Sequence, residues 1–195
     1  MPKRRLVFSC LLLVSVFALV ACGSGNGDES KIEEAIETSA TSKDPADCKK
    51  LSTQHFMEQT TRSEGAEAVK ECEKNASNGE GAKSVEVSEV EVDGSKATAD
   101  AALTGGSFDG QTLEVALVKE NDQWKLDELA GFVKFDEAKV VGILESQFDE
   151  PSSGVSKSQA SCIVEAFEEA PQAEFEEALL SGASKGFEEI AEGCL

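Results

Sequence analysis

The 195-residue chain contains no tyrosine, one tryptophan (Trp124), one histidine (His55) and, after Arg5, a single arginine, Arg62. Each shortage closes a class of function. Phosphates and nucleic-acid grooves are gripped by clusters of arginine forks, and this chain sets 38 acidic residues against 18 basic ones. No nucleic-acid partner is expected. Metal sites need Cys or His ligands closely spaced, whereas Cys48, Cys72, Cys162 and Cys194 lie more than twenty residues apart. No D-x-[DN]-x-[DN]-G run is present, and Gly105-Gly106 lacks the lysine and following helix of a phosphate loop. No metal and no cofactor is expected. Serine, histidine and aspartate are nowhere spaced as a triad, so no catalytic residue is assigned. Long apolar runs are scarce too. The longest, Leu6 to Val20, would cover about 23 Å as a helix, short of the ~30 Å hydrocarbon core.

That run begins behind Met1-Pro2-Lys3-Arg4-Arg5 and stops at a cysteine. A positive segment, an apolar core and small residues at its end make a secretory signal. Leu19-Val20-Ala21-Cys22 resembles the lipobox of bacterial lipoproteins. The resemblance implies that residues 1–21 are a signal peptide and that Cys22 is lipidated. The chain would then be anchored to the cell membrane on its extracytoplasmic face, since two acyl chains suffice for stable anchoring. Gly23 to Ser30, "GSGNGDES", reads as a flexible tether (22–30) with an r.m.s. reach of about 16 Å, beyond the ~8 Å Debye length. The remaining chain has 15 basic and 38 acidic residues, a formal charge of −23, and an anionic leaflet would repel it.

Two segments follow, at 30–135 and 136–195. The first opens with three helical stretches: "KIEEAIETSA"; "DPADCKKLSTQHFMEQT", with Asp44 as N-cap and Pro45 at the first helical position; and "EGAEAVKECEKNA", ended by Asn78-Gly79. At Val85 the apolar period becomes two. In "SVEVSEVEV", Val85 and Val87 share one face and Val90 and Val92 the other, so the slip at Ser88-Glu89 predicts a bulge. Asp93-Gly94 predicts a hairpin into a strand whose Ala97, Ala99, Ala101 and Leu103 share a face. "QTLEVALVKE" presents Leu113, Val115 and Leu117, and Asn121-Asp122 turns into "QWKLDELAGF". The fold class is α+β: three helices and a bent four-stranded antiparallel sheet, cone-like, then a small all-helical disulfide-bonded domain. In that second segment Ser156 and Gln159 form a capping box and Pro171 starts a further helix. Four cysteines in an oxidising compartment permit three connectivities. Pairing Cys48 with Cys72 and Cys162 with Cys194 keeps each bridge within one segment.

Helices followed by a bent meander that closes on the tryptophan strand "NDQWKLDEL" resemble the nuclear transport factor 2-like (SnoaL-like) superfamily over about residues 30–135. The resemblance implies a pocket inside the cone and no particular chemistry. Ketosteroid-isomerase-type members use a tyrosine that this chain lacks. His55 and Trp124 are the candidate pocket residues: His55 shares a helical face with Leu51 and Glu58 and could act as a lone base or paired with Glu58, although a surface or capping histidine is the favoured reading. The alanines at 97, 99 and 101 either leave room for a ligand or seat a helix against the sheet, the second being favoured. The expected function is a non-catalytic binding or accessory module, taking an envelope protein partner or a small apolar ligand. The alternative is a SnoaL-like isomerase or hydrolase using His55.

Overall fold

A computed structural model describes residues 25–148, 154–181 and 184–194. Cys22 and the signal segment 1–21 lie outside the described residues. The elements run α1 Gly25–Thr41, α2 Ala46–Leu51, α3 Gln54–Thr61, α4 Gly65–Asn78, β1 Ser84–Asp93, β2 Lys96–Thr104, β3 Thr112–Glu120 and β4 Gln123–Lys134. Four helices follow: α5 Glu137–Phe148, α6 Lys157–Glu169, α7 Gln172–Leu180 and α8 Ser184–Ile190. No described helix is long and apolar enough to cross a membrane.

Two expectations fail at the start of the chain. Gly25 to Ser30 are not tether but the first turns of α1. The cause is a distant contact: Asp28 accepts hydrogen bonds from Lys119 Nζ (2.8 Å) and Trp124 Nε1 (3.2 Å), which fasten this turn to the sheet. The second helical stretch is two helices, α2 and α3. At the break, Thr53 N–H donates to Leu126 C=O (2.9 Å) and Ser52 forms a parallel bridge with Leu126. The Thr53 hydroxyl then caps α3 by accepting the Phe56 N–H at 3.2 Å. The expected cap is displaced by one residue: α2 begins at Ala46 with Pro45 at the N-cap position, and Asp44, one residue earlier, accepts the Ala46 N–H through Oδ1 at 2.9 Å. Gly79, at φ 71°, ends α4 in the left-handed conformation glycine tolerates.

The sheet is an antiparallel meander in the order β1-β2-β3-β4. Its β1–β2 register slips between Ser88 and Glu91, and Glu89 takes φ 50°, the bulge foreseen in the sequence. Asn121 and Asp122 both have positive φ (50° and 63°), as a two-residue type I′ hairpin requires. One face of the sheet buries Ala97, Ala99, Ala101, Leu113, Val115, Leu117, Trp124 and Leu126 in a cluster with Ile32, Ala35 and Ile36 of α1. Each fully buried large aliphatic side chain there stabilises by roughly 1.5–3 kcal/mol.

Cys48–Cys72 joins α2 to α4, and Cys162–Cys194 joins α6 to the residues after α8. A second cluster unites Val140 and Val141 of α5, Ile163, Val164 and Phe167 of α6, Phe175 of α7 and Ala191. The capping box of α6 forms in full: Ser156 Oγ accepts the Gln159 N–H while Gln159 Oε1 accepts the Ser156 N–H. Rings link the two clusters, with Phe132, Phe135 and Phe175 in sequential edge contact at centroid separations of 4.8 and 5.4 Å. Gln59 of α3 adds a polar link. Its Oε1 accepts the Leu129 N–H (2.8 Å), and its Nε2 donates to Leu129 C=O (3.0 Å) and to Leu180 C=O of α7 (2.8 Å).

Candidate functional site

The strand periodicity that buries one face also leaves a void at one end of it. Beneath the β2–β3 loop, where α1 ends and β1 begins, lies a cavity of about 260 Å³ lined by Ile36, Phe56, Leu103, Phe108, Leu113 and Leu129, among others. Its polar lining residues, Ser39, Thr60, Glu80 and Ser107, keep contact with water. The mouth is a meeting of three backbone segments. A Cβ on Gly81 would lie 2.5 Å from Ala40 C=O, and one on Gly106, at φ 72°, would lie 3.2 Å from the backbone of Gly81 and Ala82. The loop itself is tied by Gln111, a buried amide that accepts the Asp136 N–H (2.7 Å) and donates to Asp136 C=O (3.1 Å). The cavity rim is thereby fixed to the start of α5.

The alanine face seats α1, the favoured reading, and borders the cavity at one end. Ala97, Ala99 and Ala101 all share the buried cluster with Ile32, Ala35 and Ile36 of α1, and Ala101 also lines the cavity.

His55 and Trp124 do not come together, and neither lines this cavity. His55 is exposed on α3, facing an open groove of about 860 Å³ between α3, β4 and α7 that also presents Glu58, Glu128, Glu176 and Glu177. The helix break places Leu51 on α2, so the expected face of Leu51, His55 and Glu58 does not exist. Glu58 is otherwise engaged: Oε1 accepts the Gly65 N–H (2.9 Å) and the Gln54 side-chain amide (2.9 Å), which hold its carboxyl below its ordinary range. His55 adds only the smallest of the contributions to that shift. No hydrogen bond joins the pair among the described residues.

Trp124 lies at the opposite end of the sheet, 2 % exposed, with its indole bonded to Asp28. Arg62 closes α3 in the left-handed conformation (φ 54°) with its guanidinium 4.2 Å over the Phe187 ring. Burial of that head lowers its pKa.

Sequence reasoning missed Phe56, Phe108 and Gln111. The signal was the pair Gly105-Gly106 between two strands, which marks a close backbone approach. No group of three or more His, Cys, Asp or Glu residues suited to a metal ion occurs among the described residues. No family model, no curated protein and no solved structure matches the chain.

Proposed function

We propose that this chain is a lipid-anchored extracytoplasmic lipoprotein whose cone-like domain receives a small apolar ligand without transforming it. The observation that carries the ligand reading is the cavity of about 260 Å³ between α1, α3 and the sheet. An engineered apolar cavity of about 150 Å³ already holds benzene, and drug-sized pockets begin at roughly 300 Å³. The size therefore suits a short acyl chain or a small isoprenoid. The anchor reading is carried by the lipobox-like Leu19-Val20-Ala21-Cys22, and two cystine bridges fit an oxidising compartment. Helices on one face of a bent meander also suit the SnoaL-like resemblance. The enzymatic alternative loses support because His55 faces the outer groove and the one carboxylate at the cavity, Glu80, is exposed.

Two experiments test the proposal. Cys22→Ser is expected to release the protein from the membrane or to stall its processing, and membrane retention of a fully processed variant would overturn the anchor. For the cavity, a panel of short fatty acids and isoprenoids is expected to raise the Tm of the wild type by mass action, an effect that Ala101→Leu removes. A panel that leaves the wild-type Tm unchanged would overturn the ligand reading.

A further inference from the structure

We infer that the end of the sheet bearing the turns at 94–95 and 121–122 faces the membrane, while the cavity mouth and the acidic helices α5–α8 point away from it. This rests on reading Cys22 as the anchor. The geometry begins with α1, which runs from Asp28, fastened to Lys119 and Trp124 at the turn end, to Ala40, whose C=O accepts the Ala82 N–H (2.8 Å) beside the mouth. At about 1.5 Å per residue the helix advances ~18 Å between these points. Only the steps from Cys22 to Gly25 precede the helix, and fully extended they reach no more than ~11 Å. The turn end is therefore held close to the headgroups, and the mouth lies more than two ~8 Å Debye lengths farther along α1.

A short leash limits distance; charge decides tilt. Residues 136–195 carry 14 acidic residues and 3 lysines, so any tilt that lays α5–α8 against an anionic leaflet brings a concentrated negative charge within screening range. The turn end is mixed in sign. It presents Lys31 and Lys96 to solvent among the exposed acids Glu29, Asp93 and Asp122, beside Lys119 paired with Asp28 and Lys125 paired with Glu120. The upright pose follows, and a ligand would enter the cavity from the side facing away from the leaflet.

The test uses the native lipoprotein, purified in detergent and reconstituted into phosphatidylglycerol-containing vesicles, with its own lysines as reporters. A membrane-impermeant amine-acylating reagent is applied to both forms and labelling is read by peptide mass spectrometry. Labelling at Lys31 and Lys96 is expected to fall several-fold on vesicles, with Lys139 and Lys157 unchanged. All four are exposed in the folded chain. Equal labelling in both forms at every site, or protection of Lys139 and Lys157, would overturn the orientation. The mass of the N-terminal peptide separates this from failure of the anchor: a Cys22 without acyl chains removes both inferences, whereas an acylated Cys22 with uniform labelling removes the orientation alone.

Discussion

The Asp28 carboxylate accepts a hydrogen bond from the indole N–H of Trp124 at 3.2 Å across 96 residues of sequence. This contact, with the Lys119 ion pair at 2.8 Å, converts a glycine- and serine-rich stretch into the start of a docked helix. Asp28→Ala is expected to leave the buried indole N–H without its acceptor, to lower the Tm and to increase amide exchange over residues 25–31. Trp124 is the only tryptophan, so a red-shifted emission reports the loosening directly. Unchanged emission and exchange would show that α1 docks through Ile32 and Ile36 alone.

The same contact sets a pH dependence. Hydrogen bonds from Lys119 and Trp124 hold the Asp28 carboxyl below its ordinary 3.8. Its stabilising contribution is therefore complete above that value and is lost as pH falls through the lower, folded-state pKa. Trp124 emission should stay constant from pH 7 down to about 4 and change only below. In Asp28→Asn that acid step should vanish.

Gln59 supplies both hydrogen bonds of a missing strand neighbour to Leu129 and a third to Leu180. Gln59→Leu leaves the Leu129 N–H unmatched at 8 % exposure, at a cost of roughly 1–3 kcal/mol. Chemical denaturation should register that loss. Gln59→Glu should be no better, because a carboxylate would face two carbonyl oxygens.

What could be read in advance was whatever is local. Alternation in "KATADAAL" and "TLEVALV" fixed the buried faces, and Asp93-Gly94 and Asn121-Asp122 marked the hairpins, because period and turn chemistry act over a few residues. The break at Ser52-Thr53 was invisible. "KKLSTQHF" holds no glycine or proline, and the helix is interrupted because Ser52 and Thr53 pair with Leu126, a partner 74 residues away by sequence number. The site suffered the same way. Counting helical turns from Leu51 puts Leu51, His55 and Glu58 on one face, and the non-helical residues Ser52 and Thr53 break that face, while the exposed position of His55 is the favoured surface reading.

Of the three alanines in the α1 cluster, Ala101 alone also lines the cavity. Ala99 is 1 % exposed, outside the cavity and among side chains that seat α1, so Ala99→Leu should cost about 1–3 kcal/mol by overpacking. Ala101→Leu fills existing space and should cost less than ~1 kcal/mol. Equal losses in urea denaturation would mean that the void closes in solution.

The bridges close loops of similar size, with sequence separations of 24 and 32 residues. Replacing either pair by serine should destabilise by about 3.5 kcal/mol on the loop-entropy model. Denaturant midpoints of the two double variants should therefore shift comparably. A negligible shift for Cys162→Ser with Cys194→Ser would show that the Phe167 and Phe175 cluster holds α6 to α8 unaided.

The kink at Glu89 has a bearing on how copies of this chain meet one another. β1 is one of the two outer strands of its sheet, and an outer strand is where a neighbouring copy would add its own. A strand turned out of line by a left-handed Glu89 and carrying Glu86 and Glu91 beside it offers no straight row of amides to template, and it meets its twin with like charge. The irregularity that bends the cone thus also discourages neighbouring copies from fusing edge to edge.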